Sequence, residues 1–369
     1  MESLAAIKKI MHRHRTRKSA CVFYLLATTV MSACFADDSP YTQPQRHIDI
    51  GNGQHLNLYC VGQGTPTVVF ESGISDWGFS WALVQPAISA QTQTCVYDRA
   101  GLGFSDASRR AGTSSHMVDD LHRLLRSAQI APPYVLVGHS MGGMNVRLYT
   151  DRFRDEVAGL VLIDPTHEAG IRRIDAQKNR QESRRYAVEI TRAKACLHNS
   201  YLSNQTAQFR TNCIEPDTPV LSKQINDARV RVARKPTFQR AQLSEITNYA
   251  NGTSFAEVRA ARRWFGTLPL VVLTASRTTN VIGPEWLRLH RELAALSRLG
   301  VQCTVAESGH YIQLDRPTVV VAAISDVLLQ ARQLQRTSAT DGDFDYTQAP
   351  AVPLNALTCP NPQRVMPPS

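Results

Sequence analysis

The stretch Gly138-His139-Ser140-Met141-Gly142, entered from the apolar run Tyr134-Val135-Leu136-Val137, constrains this chain more than any other feature. A buried strand there delivers a serine to a turn so tight that bulky residues on either side would clash with the strand or with the helix that follows. Gly-x-Ser-x-Gly in that setting marks a nucleophile elbow, with glycines where side chains cannot fit. The following residues, Gly143–Tyr149, read as the helix behind the elbow, whose first amides face developing negative charge. Ser140 is therefore the candidate nucleophile.

Two further residues fall in a telling order. Asp164 ends the apolar run Gly159–Ile163, and His310 stands in Glu307-Ser308-Gly309-His310, after the strand-like Val301–Val305. Nucleophile, acid, histidine is the chain order expected with this elbow, and it differs from the orders on two unrelated protease folds. The runs Thr67–Phe70, Thr94–Tyr97, Tyr134–Val137, Gly159–Ile163 and Leu268–Leu273 alternate with segments long enough for helices. That pattern predicts an α/β fold, a mainly parallel sheet with helices on both faces.

With these segments in place, residues from about 45 to 330 resemble the alpha/beta-hydrolase superfamily, of the single-domain esterase and lipase type. The resemblance rests on Phe70-Glu71-Ser72-Gly73, on Tyr97-Asp98-Arg99-Ala100-Gly101-Leu102-Gly103-Phe104-Ser105-Asp106, on the elbow, and on Ser308-Gly309-His310. It implies an eight-stranded, mostly parallel sheet with a helical cap inserted after the sixth strand. The expected divisions are an export signal over 1–36, a core over 37–164 and 268–335, a cap over 165–267, and an extended tail over 336–369. The cap segment is rich in Arg and Gln, poor in strand patterns, and about a hundred residues longer than a crossover requires.

The chemistry asks for more than a serine. A base must take its proton, which assigns His310, and a carboxylate must hold that base in the correct tautomer. Many relatives carry the acid after the strand matching Leu268–Leu273, but Thr274–Asn280 holds no carboxylate. Asp164, one strand earlier, is the reading adopted, with Glu168 and Glu285 the other acids in play. The oxyanion needs two donors. One is the Met141 amide, and the best second one is the Ile74 amide in Ser72-Gly73-Ile74, where relatives commonly have His-Gly. Glu71 at a buried strand end demands a partner, for which Arg99 is the obvious cation. Asp98, Ser105 and Asp106 are expected to order the loop after the fourth strand, and His139 to pack or hydrogen-bond away from the nucleophile. These roles imply ester cleavage through an acyl-enzyme, with no metal and no organic cofactor. Lactone, thioester, amide or carbon–carbon cleavage by the same residues, and a non-catalytic binding protein on this scaffold, stand as alternatives. A serine rather than an aspartate at the elbow argues against a dehalogenase or an epoxide hydrolase.

Six basic residues, Lys8, Lys9, Arg13, Arg15, Arg17 and Lys18, precede the apolar Ala20–Met31, a pattern of export. Cleavage after Ala36 fits simple secretion to a periplasmic or extracellular site. Met31-Ser32-Ala33-Cys34 also resembles a lipoprotein box, in which Cys34 would be lipidated, and an uncleaved anchor is the third option. Beyond the leader lie Cys60, Cys95, Cys196, Cys213, Cys303 and Cys359, an even set suited to an oxidising compartment. A second strand His55–Cys60, antiparallel to Thr94–Tyr97, sets Cys60 beside Cys95. Cys196 and Cys213 fall inside the insertion, which leaves Cys303 for Cys359; buried free thiols are the alternative for each pair. None has zinc-ligand spacing. The net charge of +10 comes largely from insertion residues such as Arg172, Arg173, Arg184, Arg185, Arg229, Arg231, Arg234, Lys235, Arg262 and Arg263. They read as a solvated face or as attraction to an anionic membrane surface or substrate. No aromatic-basic platform suggests nucleic acid.

Overall fold

The structure, a computed structural model, describes residues 38–169, 176–202, 207–340 and 359. The leader with its Cys34 and Ala36 sites lies outside the described residues, as do Arg172 and Arg173 of the insertion. Eight strands form one sheet: β1 (Arg46–Asp49), β2 (His55–Val61), β3 (Thr67–Glu71), β4 (Thr94–Tyr97), β5 (Tyr134–His139), β6 (Val157–Ile163), β7 (Leu270–Ala275) and β8 (Gly300–Val305). Their order across the sheet is β1-β2-β4-β3-β5-β6-β7-β8. β2 runs antiparallel to both β1 and β4, and the remaining pairs are parallel.

Strand residues alternate between two cores, as a side-chain period of two requires. Val68, Phe70, Val135, Val137, Val161, Ile163, Val271 and Leu273 face one way, packed with Val320, Ile324 and Val327 of α12 (Pro317–Thr340). Val69, Leu136, Leu160, Leu162, Leu270 and Val272 face the other. That second face is closed by α2 (Ser114–Ser127) and α3 (Met141–Arg152). Met117, Val118, Leu121, Leu124 and Leu125 make a stripe along α2, and the Thr113 hydroxyl caps its start by accepting the His116 amide. A short α1 (Gln85–Ser89) precedes β4. Because both faces are covered, the parallel strands are continuous apolar runs.

Between β6 and β7 the chain forms α4 (Ala176–Ser200), α5 (Ala207–Cys213), α6 (Lys223–Ala233), α7 (Pro236–Ala250) and α8 (Thr253–Ala261). After β7 come α9 (Ser276–Ile282) and α10 (Pro284–Ala294), and α11 (Ile312–Asp315) precedes α12. The tail departs from expectation at its start. α12 runs on to Thr340 rather than giving way at 336, because no glycine or proline interrupts it before Gly342. The Thr337 hydroxyl donates back to the carbonyls of Gln333 and Leu334 at 3.2 and 2.9 Å, which keeps this polar residue compatible with the helix. Residues 341–358 and 360–369 lie outside the described part.

Cys60 and Cys95 stand directly opposite each other in the β2–β4 ladder, with alpha carbons 4.1 Å apart, and are joined. Cys196 is joined to Cys213, tying α4 to α5, and Cys303 to Cys359. Among the described residues no helix is long and apolar enough to cross a membrane.

Candidate active site

Ser140 occupies a backbone conformation, φ 54° and ψ −119°, that a side-chain-bearing residue adopts only under constraint. The constraint is local. Its amide donates to the Ile163 carbonyl at 3.0 Å, and its own carbonyl accepts the Thr166 amide at 3.0 Å, so β6 and the loop after it clamp the turn. A Cβ at Gly142 would lie 2.3 Å from the Glu71 carbonyl oxygen, and one at Gly138 would lie 2.5 Å from that of Gly142. Those two glycines let the elbow close against the end of β3.

The Ser140 Oγ lies 2.9 Å from His310 Nε2, and His310 Nδ1 lies 2.7 Å from Asp164 Oδ2. A carboxylate can only accept, so Nδ1 carries the proton and Nε2 presents its lone pair to the serine hydroxyl. The other oxygen, Asp164 Oδ1, accepts the Ala275 amide and the Trp286 indole N–H, both at 3.0 Å. Thus the segment after β7 contributes hydrogen-bond donors to the carboxylate from the neighbouring strand. Asp164 is fully buried, and its backbone φ of 39° is again left-handed. Burial opposes its ionisation, yet the hydrogen bond and charge of His310, the nearby His290 and the Ala275 amide outweigh burial and hold the carboxyl below its ordinary range. Its two competitors are engaged elsewhere. Glu168 accepts from Arg147 at 2.7 Å and from Arg262 at 2.8 Å, and Glu285 pairs with Arg288 on α10.

Two histidines brace these loops, His139 inside the elbow motif and His290 outside any motif. His139 Nε2 donates to the His310 carbonyl at 3.0 Å, and the two rings lie 4.7 Å apart. Burial first, then the charge of His310, pushes His139 down to about 3, so it stays a neutral support. His290 Nε2 donates to the Pro165 carbonyl at 2.9 Å while Nδ1 accepts from Thr274 at 2.7 Å. Burial lowers it to about 4.

The loop Ser72–Asp76, holding Ile74, leaves β3 beside the elbow. Arg99 reaches it, donating to Glu71 Oε1 at 3.2 Å and to the carbonyls of Ser72 and Gly73 at 2.7 and 2.6 Å. Glu71 also accepts from Asn145 of α3 at 2.8 Å and from the Tyr97 hydroxyl. Burial nevertheless raises its carboxyl above the ordinary range, against the pull of Arg99, Tyr97 and Asn145. A third member, Glu245 of α7, takes Arg99 Nε at 2.8 Å and Nη2 at 3.1 Å. Asp98 orders the loop after β4 by accepting the Gly78 and Phe104 amides, both at 2.9 Å, and Asn57 Nδ2 at 3.0 Å. Ser105 donates to the Asp98 carbonyl at 2.6 Å, and Asp106 accepts the His55 amide at 2.8 Å. Several insertion cations serve internal contacts: Arg229 sits over the Phe79 ring, Lys235 donates to the Gly103 carbonyl, and Arg262 reaches Glu168.

This fold and elbow define a class, and comparison with known proteins places the chain in it. The family described as alpha/beta hydrolase fold matches residues 66–317, and the chain belongs to that family. A Bacillus subtilis protein of uncharacterised activity, YqjL, is 25% identical over 274 residues, which are 74% of this chain and 87% of that protein. A fission-yeast protein of uncharacterised activity matches over a segment only, at 37% identity over 81 residues, which are 22% of this chain and 15% of that protein. Among solved structures, an epoxide hydrolase, CorEH, superposes with a TM-score of 0.59 at 19% identity, covering 77% of this chain and 98% of its own. A thermophilic esterase from Thermogutta terrifontis gives 0.54 at 19%, covering 78% and 99%. At such identities these structures support the shared fold alone.

Proposed function

We propose that the chain is a serine hydrolase that cleaves a carboxylic ester through an acyl-enzyme, with Ser140 as nucleophile, His310 as general base and acid, and Asp164 as the carboxylate that orients it. The observation carrying this reading is the unbroken relay from Ser140 Oγ through both His310 nitrogens to Asp164, spanning 2.9 and 2.7 Å. The serine proton passes to His310 Nε2 as Oγ bonds to the ester carbonyl carbon, and the carbonyl electrons move onto oxygen. The Met141 amide, at the start of α3, and the Ile74 amide receive that oxyanion. Collapse breaks the carbon–alkoxide bond, and His310 returns the proton to the leaving alcohol. Water then repeats the sequence on the acyl-enzyme and frees the carboxylic acid. The side chain of His310 is 40% exposed while Asp164 is not, so substrate and water meet the imidazole and its acid stays dry.

The three disulfides are compatible with an exported protein, and export through the basic leader is part of the proposal. The helices between β6 and β7 act in it as the cap that selects substrate. Labelling of the mature protein with a fluorophosphonate, paired with Ser140→Ala, tests the chemistry. The expected result is covalent capture at Ser140 and a fall in p-nitrophenyl ester turnover of about a million-fold in the variant, with an unchanged melting temperature. Turnover within tenfold of wild type in the folded variant overturns the assignment.

A further inference from the structure

Among the described residues, Glu245 is the carboxylate through which the insertion helices enter the buried network beside the elbow. It is 2% exposed, and it does more than pair with Arg99: its Oε2 also accepts the Ser75 amide at 2.6 Å. Ser75 has φ 62°, a left-handed conformation disfavoured for serine, at the centre of a turn closed by the Asp76 amide donating to the Gly73 carbonyl at 3.1 Å. The turn therefore has two external anchors. Arg99 grips the Ser72 and Gly73 carbonyls from one side, and Glu245 grips the Ser75 amide while holding Arg99 in place from the other. Ile74 lies between those anchors, and its N–H is part of the same planar peptide unit as the gripped Gly73 carbonyl.

We propose that Glu245 is a positioning residue for the oxyanion loop, so that the insertion sets, through one carboxylate, how well the Ile74 amide meets the charge that develops on the substrate carbonyl. The inference rests on the serine-hydrolase reading above. It makes the insertion part of transition-state stabilisation as well as of substrate choice. A shift of the Ser72–Asp76 turn leaves the ester's acyl and alcohol contacts in place but misaims a donor that acts only once the tetrahedral centre forms. Loss of Glu245 also leaves Arg99 with one carboxylate, Glu71, that is itself shared with Tyr97 and Asn145.

The test compares wild type, Glu245→Ala and Glu245→Gln. The readouts are kcat and KM on a p-nitrophenyl ester, affinity for a trifluoromethyl ketone whose adduct carries an oxyanion, and hydrogen exchange in the peptide spanning residues 70–77. Removing one oxyanion donor costs roughly 10²- to 10³-fold in kcat. Glu245→Ala is expected to approach the lower figure with KM within about threefold of wild type, to weaken the ketone in parallel with kcat, and to speed exchange at 70–77. Glu245→Gln keeps one acceptor, which can serve the Ser75 amide and Arg99 Nη2 while its NH2 faces the Arg99 Nε–H, and is expected to recover part of the loss. It is also nearly isosteric, so it carries the test if the alanine variant does not fold: ketone affinity and kcat must then fall together by a smaller factor. A rise in KM with kcat unchanged, or a fall in kcat with ketone affinity unchanged, overturns the inference while leaving the hydrolase reading intact. Wild-type protein that neither takes fluorophosphonate nor turns over ester overturns both.

Discussion

Strand β5 and helix α4 are held in the molecule in opposite ways. All six residues of β5 are buried, and the strand is hydrogen-bonded along both edges, to β3 and β6. Of the α4 side chains described, only Ala193, Cys196 and Ser200 are buried, a single stripe at helical spacing. β5 delivers Ser140 to its turn with little slack, because it is paired with strands on both edges and packed on both faces. α4 rests on a narrow seam and a covalent tie to α5. The difference teaches which properties each region can vary: the sheet fixes where Ser140 sits, and the insertion can change its exposed surface with little consequence for the core.

The sharpest break in that contrast comes at Asp164. It is held by the ends of β6 and β7, so Asp164→Asn is expected to lower turnover by roughly 10⁴ through the wrong His310 tautomer, with little change in melting temperature. Glu285→Gln, on the surface of α10, is expected to stay within twofold. Initial rates on a p-nitrophenyl ester check the ranking, and the reverse order would move the acid out of the sheet.

A smaller effect is expected on the other side of the comparison. Replacing Cys196 and Cys213 by serine releases a loop closed over 17 residues of sequence separation, worth roughly 3 kcal/mol in the chain-entropy view. Hydrogen exchange should show lost protection in α4 and α5 while β5 and β6 keep theirs. Simultaneous loss in both regions would show that insertion and sheet unfold as one unit.

A pH-dependent effect is expected where the two regions meet. Burial, and then the negative charge of Glu215 from the insertion, raises Asp76 to about 7 against Tyr311, Arg99 and Arg229. The folded protein therefore keeps this carboxyl protonated while the unfolded chain ionises it, and wild-type stability from this group drains away as pH rises from about 4 to 7. Asp76→Asn does not titrate. Its unfolding free energy, followed by denaturant melts at each pH, is expected to gain on wild type across that window by roughly 1.4 kcal/mol per pH unit at most, and to hold a constant lead above it. A constant difference from pH 4 to 8 would place the group in solvent.

Legibility followed the same division. β3, β4, β5, β6 and β7 stand out in the sequence because strands buried on both faces must be apolar throughout. β1 did not, since Arg46, His47 and Asp49 are exposed on an edge strand and carry no apolar signal. Ser140, Asp164 and His310 are picked out as candidates because each follows a legible strand, and the fold brings them within hydrogen-bonding reach; Arg99 is assigned to Glu71 because a buried carboxylate needs a cation, and the two are paired. Glu245 could not be named from the sequence. It lies 146 residues from Arg99 on an amphipathic helix among other polar residues, and only the fold turns it inward. The same holds for Trp286 and His290, whose roles depend on how α10 packs against β7.

The Arg99 fork also limits how descendants of this chain can diverge. Residues of the insertion that face solvent are free to drift, and most such changes touch nothing in the sheet. Glu245 is different, because changing it alone leaves a buried arginine with a single carboxylate, Glu71, that Tyr97 and Asn145 already share. Lineages that keep the arginine should therefore keep an acid at this site while all around it changes, and those that lose one should lose the other in near succession. A glutamate in an otherwise variable helix, inherited together with an arginine in a loop more than a hundred residues away, is the heritable mark by which such lineages can be recognised.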